Sequence, residues 1–109
     1  MKDNYLDCGL EKQLVSQIIK LIVGHKKPEK IVIFGSRAEG TFKYNSDIDI
    51  AIFSKDWTSS DIAVVKFDLD EDIKTPFKFD VLNFYTLSRD RLKEKILNRG
   101  RVIYDSGKD

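Results

Sequence analysis

The sequence has few of the residues that build cross-linked proteins or zinc sites. Its 109 residues include one cysteine, one histidine, two prolines and one tryptophan. A single cysteine, Cys8, excludes an internal disulfide and a cysteine-based zinc site, and it fits a reducing compartment. No apolar run approaches the roughly 18 residues of a membrane-spanning helix. The opening residues, MKDNYLDCGLEK, also lack the apolar core of a signal peptide. We therefore expect a cytoplasmic protein that does not bind membranes.

Net charge is also small, which argues against a general attraction to nucleic acid. The chain has 19 basic and 18 acidic residues, a formal net charge of +1, and 41% hydrophobic residues. This length suits one hydrophobic core and is short for two. We expect a single domain over residues 1–109.

Hydrophobic periodicity predicts an α/β fold, with a mixed sheet and helices packed mainly on one face. The expected elements are a helix at 10–23 between an Asp7 cap and a stop at Gly24, strands at 30–34, 47–54 and 78–84, a helical turn at 36–39, a last helix ending near 98, and an extended end at 101–105. Thr86 or Ser88 is the expected cap of the last helix. Segment 61–73 fits a helix or a strand, and its length and the cap-like Ser59-Ser60 favour the helix.

The stretch IVIFGSRAEGTFKYNSDIDIAIF, residues 31–53, carries the clearest pattern in the chain. An apolar run ends at Gly35-Ser36, and ten residues separate Ser36 from Asp47. Asp47 and Asp49 lie two apart, so on a strand both carboxylates face one side while the isoleucines between and after them face the other. A strand that stops at Gly-Ser and opens a helical turn points backbone N–H groups at one place, a geometry that binds phosphate.

A third carboxylate, Asp80, lies on the strand predicted at 78–84. An unpaired charge among apolar neighbours is costly, so Asp80 needs a cation, a base or a metal. Hard oxygen ligands without cysteine or clustered histidine favour Mg²⁺ or Mn²⁺. Carboxylates and phosphates repel each other unless metal lies between them. The three aspartates and the Gly-Ser turn together therefore indicate a metal and a phosphorylated substrate.

This motif resembles the signature of the DNA polymerase β-like nucleotidyltransferase superfamily. The residues that carry the resemblance are Gly35-Ser36, Asp47-Ile48-Asp49 after ten residues, and Asp80 in FDVLNF. The segments FGSRAEG and LKEKILNRGRVIYDS resemble those of its minimal nucleotidyltransferases, the MNT family. The resemblance covers nearly the whole chain, residues 10–104.

The resemblance implies a nucleotidyltransferase palm-like fold that uses ATP and two Mg²⁺ ions. Asp47, Asp49 and Asp80 would be the catalytic and metal-binding residues, and Gly35 and Ser36, with Arg37 as a candidate, would bind the nucleotide phosphates. Members of the MNT family act as antitoxins that transfer AMP to a tyrosine of a partner HEPN toxin. Few residues follow Asp80, so we expect a partner protein to complete the site, within a homo- or hetero-oligomer.

Several alternatives stay open on the sequence. The protein could be an antitoxin that acts by occlusion alone, or an enzyme that modifies a small molecule or RNA. Asp80 could pair with Lys78 or an arginine, and Arg37 could be a surface residue. Trp57 could stack on a base or pack at an edge, and His25 reads as a surface residue. The last helix has a basic face that could be merely solvated or could dock an acidic partner surface; its cations are Arg89, Arg91, Lys93, Lys95 and Arg99.

Overall fold

Four strands form one mixed sheet in the order β3-β2-β1-β4. The computed structural model describes residues 9–43 and 45–108, so the predicted cap Asp7 lies outside it. The elements in chain order are α1 Lys12–His25, β1 Lys30–Phe34, α2 Ser36–Glu39, β2 Ile48–Phe53, α3 Ser59–Asp72, β3 Phe79–Asn83, a 3₁₀ turn Phe84–Thr86, α4 Asp90–Arg99, β4 Arg101–Asp105 and a 3₁₀ turn Ser106–Lys108. The predicted α/β class is confirmed.

The pairing of the strands brings distant parts of the chain together. β1 and β2 are antiparallel and place Phe34 opposite Asp49. β2 and β3 are parallel and place Asp49 opposite Asp80, with α3 as the crossover that a parallel pair requires. The extended end predicted at 101–105 is the edge strand β4, which pairs antiparallel with β1.

The isoleucine alternation fixes which face of β2 is buried. Ile48, Ile50 and Ile52 are fully buried in the cluster that contains the inward residues of α1 and α3. Burying one such side chain contributes roughly 1.5–3 kcal/mol, and a register slip of one residue would turn all three to the other face. The core therefore holds Asp49 on the opposite face, as the sequence predicted.

The opposite face of the sheet carries α4. Its buried Ile96 packs in a cluster with Val32, Ala51 and Phe53, while α1 and α3 lie on the isoleucine side. The two longer helices thus share one face, and the shorter α4 covers part of the face from which Asp49 projects. In the described part of the chain, no helix is long and apolar enough to span a bilayer.

Two predicted helix boundaries are wrong. Gly24 lies inside α1, which continues through His25. A contact with α3 holds the last turn, because His25 Nε2 lies 2.9 Å from Asp61 Oδ1. His25 is exposed, as the sequence predicted. Thr86 does not cap α4, because its hydroxyl donates to the Asn83 carbonyl, and α4 begins later with Arg89 as N-cap.

The ambiguous segment 61–73 is helical and forms most of α3. Thr58 and Asp61 form a capping box, in which each side chain accepts a hydrogen bond from the other's backbone N–H. Val65 and Leu69, one turn apart, are fully buried. Capping and burial at helical spacing decide in favour of the helix.

Candidate active site

Asp49 and Asp80 lie side by side on the face of the sheet that also carries α4. They are direct partners in the parallel register of β2 and β3, and neighbouring strands lie about 4.8 Å apart. Asp49 is half-buried and Asp80 is exposed. Asp80 is the second residue of β3, an edge strand, rather than a mid-strand residue. Within residues 9–43 and 45–108, it forms no ion pair with Lys78.

Asp47 reaches the same place from a loop. The sequence predicted it as the first residue of the strand, but β2 begins at Ile48. Asp47 is exposed, and the next residue anchors the loop, because the Ile48 N–H donates to the Lys78 carbonyl at 2.9 Å. One hydrogen bond thus joins the chain entering β2 to the chain entering β3, and so brings the predicted site segments together.

Asp80 and Asp47 lie close enough to Asp49 for their charges to act on it. Burial, followed by the charges of Asp80 and Asp47, raises the pKa of Asp49 from 3.8 to about 6. A lone negative charge is therefore disfavoured at Asp49. A cation bound between these carboxylates would offset both the burial and the repulsion.

Gly35 brings the chain into contact with Asp49. Its backbone has φ +78° and ψ −152°, a conformation that is essentially confined to glycine. A side chain at this position would overlap the Asp49 carboxylate. Ser36 follows as the first residue of α2, and Gly40 ends α2 in a left-handed conformation. The Gly-Ser turn therefore lies directly against a predicted metal ligand.

The three aspartates fit a Mg²⁺ ion whose remaining ligands come from a bound substrate. Among the residues that the structure describes, no group of three or more His, Cys, Asp and Glu side chains is arranged to hold a metal unaided. Mg²⁺ commonly binds one or two protein carboxylates and completes its shell with water and substrate phosphates. Asp49 and Asp80, with Asp47 beside them, can supply the protein carboxylates that such an ion needs.

Arg37 differs from both sequence readings. It is 2% exposed, so it is not a surface residue, and it has almost no exposed face to offer a phosphate. Its guanidinium donates to the Ser46 carbonyl and lies over the rings of Phe42 and Phe77. Sequence reasoning missed Ser46 and Phe77 because only the fold brings them to Arg37.

Trp57 is also buried, at the opposite end of the strands from Asp49. It belongs to the core cluster, and its ring lies edge-on to His25, with ring centroids 5.2 Å apart. Asn83, the residue paired with Ile52 near the end of β2, donates to the Trp57 carbonyl at 3.3 Å. The edge-packing alternative is therefore confirmed, and base stacking by Trp57 at the Asp49 end is excluded.

A four-stranded mixed sheet with paired carboxylates beside a Gly-Ser turn defines a nucleotidyltransferase class of fold. The family model described as "Polymerase beta, Nucleotidyltransferase" matches residues 16–109. The chain therefore belongs to the polymerase beta nucleotidyltransferase family. A comparison with curated protein sequences gives no significant match.

Solved structures show the same fold. A chain from a toxin–antitoxin crystal structure with AMP-PNP is 26% identical, with a TM-score of 0.72 over 87% of this chain and 76% of that one. A chain from the complex of a tri-AMPylated Shewanella oneidensis HEPN toxin with an MNT antitoxin is 21% identical, with a TM-score of 0.69 over 90% and 75%. A chain from a toxin–antitoxin MntA–HpeT mutant is 25% identical, with a TM-score of 0.69 over 86% and 74%.

Proposed function

We propose that this protein is a Mg²⁺-dependent nucleotidyltransferase that transfers AMP from ATP to a tyrosine hydroxyl of a partner HEPN toxin. It would thereby act as the antitoxin, in the cytoplasm. The observation that carries the proposal is the parallel register that places Asp49 beside Asp80, with Gly35 in contact with Asp49. Family membership supplies the reaction class.

Each site residue has a distinct role in this proposal. Asp47 and Asp49 would hold Mg²⁺, and Asp80 would complete the acceptor side. Bound Mg²⁺ neutralises the phosphates and stabilises the charge that develops on the attacking and leaving oxygens. Gly35 and Ser36 would contact the β- and γ-phosphates, since the turn closely approaches the Asp49 carboxylate.

Asp80 is suited to the acceptor side because it is exposed on an edge strand. The acceptor oxygen attacks the α-phosphorus in line. A new P–O bond forms, the bond to the bridging oxygen breaks, and pyrophosphate leaves. The hydroxyl proton passes towards the Asp80 carboxylate. Catalysis of this kind is mostly positioning and charge neutralisation.

The partner assignment rests on two kinds of support. Similar chains occur in toxin–antitoxin complexes, one with AMP-PNP and one with a tri-AMPylated toxin. Within this chain, Asp47 and Asp80 are both exposed, so the acceptor side is open to another protein. A partner that brings its own hydroxyl would cover that side and exclude water.

Label transfer from ATP to the partner tests the proposal. With Mg²⁺ and partner present, we expect transfer that falls about 100-fold or more in Asp49→Asn and in Asp80→Asn, because loss of a metal ligand removes several kcal/mol of transition-state stabilisation. Asp72→Asn, an exposed acidic residue of α3, should leave the rate unchanged.

Two results would contradict the proposal. Transfer that persists in both site variants would show that the chemistry lies elsewhere. Undiminished protection of cells by the Asp49→Asn/Asp80→Asn double variant would show that the protein neutralises its partner by occlusion alone.

A further inference from the structure

Arg37 is the most completely buried charged side chain described, at 2% exposure. Arginine is almost never buried to this extent unless its guanidinium is paired. It belongs to α2, a single helical turn that begins directly after Gly35. Any restraint on Arg37 is therefore also a restraint on the Gly-Ser turn.

The guanidinium binds the loop that leads to Asp47. Arg37 Nε and Nη2 both donate to the Ser46 carbonyl oxygen, at 3.2 and 3.0 Å. Ser46 is the residue directly before Asp47, and its backbone N–H and hydroxyl both bond to Lys43. The two hydrogen bonds from Arg37 thus fix the last peptide before a predicted metal ligand.

The guanidinium also contacts Phe77, in the segment that leads into β3. The Arg37 Cζ lies 4.4 Å from the ring centroid of Phe77 and 5.1 Å from that of Phe42, within the range of cation–π contact. Phe77 packs against the main core and precedes Asp80 by three residues. The Phe77 ring therefore links Arg37 to the chain that enters β3.

We infer that Arg37 is a positioning residue that holds Asp47 and the entry to β3 in register with the Gly35-Ser36 turn. It touches no reacting atom in this assignment. Its planar guanidinium connects α2 both to the loop that contains Phe42 and Ser46 and to Phe77. Lysine, a point charge on a flexible stem, cannot reproduce both the paired hydrogen bonds and the contacts with the rings. The catalytic consequence rests on the proposed function, whereas the structural consequence does not.

Hydrogen exchange tests the structural consequence without metal, nucleotide or partner. In Arg37→Lys we expect the backbone amides of Lys43 and Ser46 to exchange at least about 10-fold faster, while those of Ile50 and Ile52 in β2 stay protected. The control is the reverse substitution at an exposed site of α1, Lys20→Arg, which should leave the hydrogen-exchange rates unchanged. Unchanged exchange at Lys43 and Ser46 would overturn the inference.

Transfer kinetics tests the catalytic consequence. A displaced Asp47 should lower kcat about 10- to 100-fold while KM for ATP changes less than about 3-fold. A rise in KM of about 10-fold or more would show instead that Arg37 binds the phosphates, and would overturn the positioning role. A loss that disappears when rates are normalised to the folded fraction would also overturn it.

A second variant covers the case in which Arg37→Lys does not fold. Phe77→Leu keeps an apolar residue in the core and leaves the Ser46 carbonyl in place for Arg37, but removes one cation–π contact. It should shift the exchange and kcat in the same direction by a smaller factor, and no effect on either would count against the inference. If the natural protein transfers no label, the proposed function fails, while the exchange data still decide the role of Arg37.

Discussion

Gly35 illustrates how one residue can serve the backbone and the chemistry together. Its conformation, φ +78° and ψ −152°, costs other residues of order 1–3 kcal/mol. Its missing side chain leaves the space that the Asp49 carboxylate occupies. The glycine is thus needed both for the turn and for the close approach of a carboxylate.

Gly35→Ala should therefore damage stability and activity at once. We expect thermal unfolding several degrees lower, from backbone strain of about 1–3 kcal/mol, and a loss of nucleotidyl transfer of about 100-fold as Asp49 is displaced. Calorimetry and label transfer measure the two effects. Natural stability and activity in the Gly35→Ala variant would contradict the geometry of this turn.

Gly24→Ala is the matched control for that experiment. Gly24 lies in α1, without positive φ and with no atom within 4 Å of an added Cβ. Alanine there should raise stability by up to about 1 kcal/mol through helix propensity. Destabilisation would instead support the predicted helix stop at Gly24.

Sequence reasoning at this scale predicted the placement of residues that are marked by local spacing. The separation along the chain singles out Asp47, Asp49 and the Gly-Ser pair, and the alternation of β2 predicts the face of Asp49; their roles stay predictions. Arg37 could not be understood in this way. Its partners, Ser46 and Phe77, are separated from it by 9 and 40 residues, and only the fold brings them together.

Among the elements, α3 shows what holds a helix that has little amphipathic pattern. Asp61 accepts from the Thr58 backbone N–H at 2.7 Å and contacts His25 and Lys26 of the α1 end at 2.9 and 3.1 Å. These interactions, the Thr58 hydrogen bond first, hold the pKa of Asp61 well below its usual value. One carboxylate therefore caps α3 and ties it to α1.

The depressed pKa of Asp61 predicts a specific loss of stability in acid. A carboxylate with a lowered folded pKa stabilises the protein above its unfolded pKa of about 4, and that stability is lost as the pH falls towards the folded pKa. Asp61→Asn should lower the unfolding temperature at pH 7 and flatten its decline below about pH 5.

Unfolding curves at pH 7 and pH 3 measure this effect. Asp70→Asn, on the same helix in an exposed pair with Lys66, should change the unfolding temperature little at either pH. Equal effects of the two substitutions would contradict the special role of Asp61.

The elements themselves were mostly predictable, because their hydrophobic periods match their burial. Segment 61–73 was correctly predicted as a helix, although the exposed apolar residues Val64 and Phe67 blur its helical pattern. Its cap was misplaced, because the N-cap is Thr58, paired with Asp61 in a capping box, rather than Ser59-Ser60. The end of α1 was misjudged because a contact with Asp61 of α3, rather than a local capping residue, holds its last turn. The start of α4 was misjudged because its N-cap, Arg89, makes no side-chain capping hydrogen bond.

Across the whole molecule, three cations of α4, Arg91, Lys95 and Arg99, lie on the flank that borders Glu39 of α2. A groove between the two helices is lined by Glu39, Arg91, Glu94, Lys95, Asn98 and Arg99. Arg99 and Glu39 pair across it at 3.4 Å. Ile96 packs on Val32 and Ala51, so α4 lies on the face of the sheet that presents Asp49. The basic flank therefore lies on the same face of the sheet as Asp49.

We expect this flank to steer an acidic partner surface. Arg91→Glu with Lys95→Glu should slow partner association about 10-fold at low salt and weaken its salt dependence, since peripheral charges act mainly on the association rate. Surface plasmon resonance at several salt concentrations measures this. Lys12→Glu with Lys20→Glu, the same charge change on α1, should have a much smaller effect, and equal effects would locate the partner elsewhere.

Because β3 lies at the edge of the sheet, the protein could lose its activity before it loses its overall fold. Asp49 and Gly35 lie on neighbouring segments of the antiparallel pair β1–β2. Asp80 lies 31 residues after Asp49 and joins it only through the parallel pairing of β2 with β3. Edge elements open at lower free energy than the core. Heat or denaturant should therefore release β3 and abolish transfer before the β1–β2 pairing melts. If the proposed function is correct, newly made partner molecules would then stay unmodified while most of this protein is still folded.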